Sequence, residues 1–249
     1  MTPPLVAVAH GSRDPRSAAT VAALVDVVRA QAPSVDVRTA FLDLSAPRLA
    51  DVLTALHRAG HRDVVVVPLL LGKAFHARVD VPAMVAEATA RLPRLSVSVS
   101  GVLGPDPRLP ALALRRLTAA GASVGDPSLG VVLAAAGSTH APANQAVAAV
   151  ASSWASLGWA GVRAAFASAA GPDVPAAVAD LRARGARRIA VASWFLAPGR
   201  LPDRVTARAL DADPAALVAE PLGADQDLAS LILDRYAAAA STASGVRYA

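Results

Sequence analysis

Two histidines and an aspartate stand where short apolar runs end. His10 follows LVAVA, Asp43 follows VRTAFL, and His76 lies in the stretch after VVVVPLLLG. Two imidazoles and a carboxylate suit a divalent ion such as Fe2+, Co2+, Ni2+ or Zn2+, or proton transfer near neutral pH. The chain contains no cysteine. That excludes a disulfide scaffold, a thiolate metal site, a Cys-ligated iron–sulfur cluster and a Cys nucleophile, and it limits any ligand set to nitrogen and oxygen.

The elements that must position these residues come in two copies. LVAVAHGS at 5–12 returns as VVLAAAGS at 131–138, and RTAFLDLSAP at 38–47 returns as RAAFASAAGP at 163–172. RAGHRDVVVVPLLLG at 58–72 returns as RARGARRIAVASWFLA, aligned through Gly60 and Gly185, and VLGPDPRLPAL at 102–112 echoes PLGADQDLASL at 221–231. Four blocks in one order indicate a duplication. We expect domains at 1–122 and 128–249.

In the first half the pattern predicts strands at 5–9, 35–42, 63–71 and 95–103. Helices are expected at 15–32, at 47–59 opened by Ser45, at 80–92 with Pro82 in its first turn, and at 108–119. Strand-then-helix alternation with near-continuous apolar strands implies an α/β fold. It consists of two flavodoxin-like domains, each a four-stranded parallel sheet with helices on both faces. If the strand order is 2-1-3-4, ligands bind at the carboxyl ends of strands one and three, where the order reverses. His10, Asp43, His76 and Lys73 all fall at that edge.

One such histidine alone is as readily a satisfied polar residue, but three such residues at one edge carry more weight. The second copy sharpens the choice: His10 aligns with Ala136, Asp43 with Ser168 and His76 with Leu201. The apolar framework is retained while the chemistry is lost, so an active site belongs to the first half. His57 and His61, four apart, read as a solvated helix C-terminus. His140 has no assigned role.

The net charge of +5 is carried by residues 1–125, with 14 basic and nine acidic side chains against ten of each afterwards. Ser12, Arg13, Lys73 and Arg78 are candidate substrate-binding residues, and Arg16 adds to a rim suited to an acidic ligand. An aromatic content of 4% and the absence of nucleic-acid motifs argue against nucleic acid. Mean hydropathy is +0.44, yet no run of apolar residues is long enough to span a bilayer and the N-terminus is unlike a secretory signal. We expect a cytoplasmic protein with no membrane partner.

At these residues the sequence resembles the sirohydrochlorin ferro-/cobaltochelatase group of class II chelatases. AHGSRDPRS at 9–17, FLDLSAP at 41–47 and VVPLLLGKAFHARVDVP at 66–82 carry the resemblance, and the second half matches only as a degenerate copy. The resemblance implies ATP-independent insertion of Fe2+ or Co2+ into sirohydrochlorin, in sirohaem or cobalamin biosynthesis. It implies that His10 and His76 act at the metal and that Asp43 stands where the family commonly has Glu. An additional histidine of some members is replaced by Val79.

Removing pyrrole protons and stripping water from the metal fits neutral imidazoles assisted by a carboxylate. We expect no permanently bound cofactor, Fe2+ or Co2+ as substrate with Ni2+ as a further candidate, an acidic tetrapyrrole as partner, and a monomer of two pseudo-equivalent domains. Two alternatives stay open: a metal or tetrapyrrole carrier without turnover, and a histidine-phosphatase-like hydrolase. The second would need an Arg before the histidine, where this chain has Ala9.

Overall fold

The computed structural model describes residues 2–72 and 81–245. The first sheet contains β1 (Leu5–Ala9), β2 (Val37–Phe41), β3 (Asp63–Pro68) and β4 (Ser96–Val99), in the order β2-β1-β3-β4 and all parallel. It is connected by α1 (Pro15–Gln31), α2 (Leu49–Arg58) and α3 (Val81–Ala90), with α4 (Arg108–Ala119) after the last strand.

The second sheet repeats the plan. Its strands β5 (Leu129–Ala135), β6 (Gly161–Phe166), β7 (Arg188–Ser193) and β8 (Leu217–Val218) run β6-β5-β7-β8. Its helices are α5 (Ala141–Ser153), α6 (Val174–Ala183), α7 (Arg200–Ala212) and α8 (Gln226–Gly245). The expected α/β class, strand number and reversal point are all present.

The strands are buried because helices cover them. Val6, Val8, Val64 and Val66 of the sheet pack with Leu49, Leu53 and Leu56 of α2 in one core cluster. Each such side chain contributes about 1.5–3 kcal/mol on burial. The equivalent cluster in the second sheet joins Val132, Ile189 and Val191 to Val178 and Leu181 of α6.

Most elements are shorter than expected, β4 ending at Val99 rather than at residue 103, and two of the ends bear on the site. β3 stops at Pro68 rather than Leu71 because its neighbour β1 stops at Ala9. Leu69 N–H still bonds to Val8 O at 2.8 Å and Leu70 O accepts from Leu103 N–H at 3.0 Å, but neither neighbouring strand continues past Ala9 or Val99. α2 starts at Leu49 with Arg48 as N-cap, not at Pro47 behind Ser45. The Pro47 carbonyl instead accepts from Phe41 N–H at 3.0 Å, which holds 43–48 as a loop folded onto β2.

The compact units differ from the sequence halves. One consists of Met1–Arg108 with Ala224–Ala249, and the other of Leu109–Gly223. The last helix of each half thus groups with the other half's sheet, whereas the expected boundaries 1–122 and 128–249 keep each helix with its own half. In the first unit α8 packs on α1, β3 and β4, burying Leu228, Leu231 and Ile232. Its Tyr236 hydroxyl donates to Pro3 O at 2.7 Å.

The exchange also redistributes charge. The first unit holds 14 basic and 12 acidic residues and the second ten and seven, so the surplus seen in the first sequence half is divided between the units.

Candidate active site

The carboxyl edge of the first sheet is built by backbone pairing that continues past the strands. Leu42 N–H donates to Ala9 O at 2.9 Å, and Asp43 N–H donates to His10 O at 3.0 Å. His10 and Asp43 are therefore adjacent, one residue beyond β1 and in the loop after β2. Both are exposed.

Gly11 allows this closeness. Its φ is +95°, and a Cβ there would lie 1.7 Å from the Asp43 carbonyl oxygen. Only glycine combines that left-handed conformation with that approach. Asp43 Oδ1 accepts from Leu44 N–H at 2.7 Å, which orients the carboxylate at the head of its loop.

Ser45 fastens the two loops. Its Oγ accepts from Ser12 N–H at 3.0 Å and donates to Ser12 O at 2.8 Å. The sequence expectation placed Ser45 at a helix cap and missed this clasp. A signal for it existed in the repeat, because Ser45 aligns with Ala170 in the copy that lacks the chemistry.

The second copy keeps the frame without the reactive groups. Ser168 N–H donates to Ala136 O at 3.0 Å, and Gly137, at φ +84°, would place a Cβ 1.9 Å from Ser168 O. Ser138, the counterpart of Ser12, is clasped by its own helix instead: Asn144 Oδ1 accepts from Ser138 N–H at 2.9 Å and Asn144 Nδ2 donates to Ser138 O at 2.7 Å. Two loops of one shape thus carry His10 and Asp43 in one copy, and Ala136 and Ser168 in the other.

Of the expected substrate-binding residues, Ser12 accepts at its Oγ from Asp14 N–H at 3.1 Å, and Arg13 is exposed beside it. Arg16 is tied to Asp14, donating from Nε to Oδ1 at 3.0 Å. That bond, with the Arg16 backbone N–H, holds the Asp14 carboxyl below the usual carboxylate range. Lys73, His76 and Arg78 lie outside the described residues. Among the described residues, no group of three His, Asp or Glu side chains is placed to hold a metal ion.

The remaining histidines belong to other elements. His57 Nε2 lies 2.9 Å from Pro93 O, so that nitrogen carries the proton and donates. His61 N–H donates to Leu56 O at 3.1 Å at the end of α2, in keeping with a helix C-terminus. His140 is the exposed N-cap of α5 and makes no side-chain cap bond.

Fold and edge together define a duplicated parallel α/β protein in which one copy carries His10 and Asp43 at its switch point and the other has Ala136 and Ser168 in their places. The chain belongs to the CbiX family, whose model matches residues 4–120 and again 130–239. It is 24% identical over 202 residues to a sirohydrochlorin cobaltochelatase of Priestia megaterium, covering 80% of this chain and 65% of that protein. It is 30% identical over 99 residues to a sirohydrochlorin ferrochelatase of Bacillus subtilis, covering 40% of this chain and 38% of that protein. The matches thus span less than two thirds of these relatives' length.

Among solved structures, SirB from Bacillus subtilis with Fe3+ superposes with a TM-score of 0.80 at 22% identity, covering 99% of this chain and 98% of that one, a likeness of fold. CbiX, described as the terminal enzyme for siroheme biosynthesis in denitrifying bacteria, has a TM-score of 0.70 at 26% identity and covers 95% and 99%. No described helix is long and apolar enough to cross a membrane.

Proposed function

We propose that this chain inserts a divalent metal, Fe2+ or Co2+, into a sirohydrochlorin-type tetrapyrrole without ATP, at the edge carrying His10 and Asp43. The observation that carries this reading is the pair of matched loops: one backbone frame occurs twice, and it carries His10 and Asp43 in one copy but Ala136 and Ser168 in the other. Family membership and the names of the relatives supply the substrate class.

The reaction exchanges two pyrrole N–H protons for one metal dication. His10 and His76 hold the incoming ion through neutral imidazole nitrogens and, once it is transferred, accept the pyrrole protons. Asp43, next to His10, stabilises the imidazolium that forms and passes its proton to solvent. A ligand set of nitrogen and oxygen without thiolate binds the ion loosely enough to surrender it. Arg13, with Lys73 and Arg78, orients the acidic macrocycle, and Ser12 has a hydroxyl proton to donate to it. The enzyme acts as a cytoplasmic monomer whose second half no longer performs chemistry.

The test follows the absorbance of sirohydrochlorin with purified protein and Fe2+, Co2+ and Ni2+ in turn. Many metallated products per protein are expected with Fe2+ or Co2+. A yield that stops at one product per protein, or no acceleration over the metal alone, contradicts the proposal.

A further inference from the structure

Where the second copy lost its imidazoles and carboxylate, it gained arginines. α7 carries Arg200, Arg204 and Arg208 at four-residue spacing, which places them in one row along the helix. In the alignment that sets His76 against Leu201, the first copy has Phe75, Val79 and Ala83 at these positions. The row is a property of the second unit alone.

All three arginines are exposed. Other arginines of this unit are neutralised: Arg163 and Arg184 by Asp180, Arg182 by Asp213 and Arg188 by Asp126. None of the α7 row has a carboxylate within ion-pair distance among the described residues, although α7 also carries Asp203 and Asp211.

Arg204 is positioned. Its Nη1 donates to Ala167 O at 3.3 Å. Ala167 is the first residue after β6, so the guanidinium stands at the carboxyl edge of the second sheet, one residue from Ser168. In the first copy that position is Asp43, whose charge would repel an anion. Here a hydroxyl replaces it, and that hydroxyl is turned inward to Ala136 O at 2.9 Å.

We infer that this edge of the second unit is a binding site for a polycarboxylate, with Arg204 as its anchor and Arg200 and Arg208 extending it along α7. The planar guanidinium fork matches a carboxylate bidentately, and Arg204 retains N–H donors beyond the one spent on Ala167. At a rise of about 1.5 Å per residue the row spans roughly 12 Å, suited to several carboxylates on one large molecule rather than to a lone phosphate. The ligand class rests on the function proposed above, whose acidic tetrapyrrole is itself a polycarboxylate. Metal and proton chemistry then reside in the first copy, while the second carries a carboxylate-binding row of its own.

The test is fluorescence titration of the full chain with uroporphyrin, a metal-free octacarboxylate macrocycle. R200Q/R204Q/R208Q is compared with R58Q/R62Q/R187Q, which removes the same charge from other exposed positions, and circular dichroism and melting confirm that both fold. We expect at least tenfold weaker binding in the α7 variant and less than twofold change in the control. An α7 variant within twofold of the unmodified chain overturns the proposal, as does equal weakening in the control, which would indicate net charge alone. A short DNA duplex that binds more tightly than uroporphyrin and is released by the α7 substitutions overturns the polycarboxylate assignment. No metal is present, so the titration reads this site even if sirohydrochlorin is never metallated.

Discussion

Arg116 and Arg235 occupy the same position in the two sequence copies, 119 residues apart, and each grips a carbonyl belonging to the other copy. Arg116 donates from Nε and Nη2 to Leu222 O at 3.1 and 2.9 Å. Arg235 donates from Nε to Val102 O at 2.9 Å and from Nη2 to Leu103 O at 2.8 Å. Leu103 and Leu222 are themselves equivalent, so one fastening occurs twice with the helices exchanged. A hydrogen bond from a charged donor contributes about 1.5–3 kcal/mol, and more is lost when its partner stays buried. Arg235→Ala and Arg116→Ala should each lower unfolding free energy by about 2 kcal/mol in urea denaturation, whereas Arg187→Ala should change it by less than 0.5 kcal/mol. Equal effects at all three positions would remove the fastening role.

Gly11 and Gly60 share a φ of +95° but differ in surroundings. A Cβ at Gly11 meets the Asp43 carbonyl at 1.7 Å, and one at Gly60 meets nothing within 4 Å. Gly60→Ala pays only for the left-handed backbone, about 1 kcal/mol. Gly11→Ala must also push apart the loops carrying His10 and Asp43, so it should abolish chelation and cost several kcal/mol. Thermal melts and activity of the two variants check this, and an active Gly11→Ala enzyme would disprove the close approach.

Ser45 and Asn144 clasp equivalent turns in the two copies by different means. Removing either side chain leaves a backbone N–H and C=O unpaired, at about 1–3 kcal/mol. Only Ser45 joins a loop to the one bearing Asp43. Ser45→Ala should therefore lower the chelation kcat about tenfold, while Asn144→Ala leaves it within twofold at a similar loss of stability. Equal effects on rate would reduce the Ser45 clasp to a structural detail.

Tyr236 gives a pH signature for the exchanged helix. Burial pushes its hydroxyl pKa above the usual value of 10.0. A group raised in the folded state contributes stability that is complete below its unfolded pKa and is lost as pH climbs through the folded value. Lys73 is the chain's one lysine and Tyr248 its other tyrosine, so few side chains titrate in this range. Stability should fall above about pH 10, and Tyr236→Phe should cost about 1 kcal/mol at pH 8 while flattening that decline. Urea midpoints at pH 8 and pH 10.5 measure both effects. An unchanged alkaline slope in the variant would contradict them.

Much of this architecture was legible in the sequence. The apolar runs at 5–9 and 63–68 and the repeated segments around His10 and Asp43 located the strands, and an assumed order 2-1-3-4, which the structure has, put His10 and Asp43 at one edge. The helix exchange was not legible. A repeat shows that Arg116 and Arg235 are equivalent, but local patterning cannot say which copy's carbonyl each one reaches. Ser45 was misread because an N-cap serine and a loop-to-loop serine look alike in sequence. The distinction depends on Pro47, whose carbonyl is recruited by Phe41 and keeps the helix from starting early. The charge asymmetry of the halves was real in sequence but dissolved once α4 and α8 were assigned to their units.

The central claim is that chemistry resides at the first copy's edge. The most direct measurement is the rate of cobalt insertion into sirohydrochlorin by His10→Ala beside His140→Ala, both exposed histidines placed next to a sheet edge, one in each copy. The account predicts at least a hundredfold loss for His10→Ala and a change of less than twofold for His140→Ala. A His10→Ala enzyme that retains the unmodified rate would contradict it.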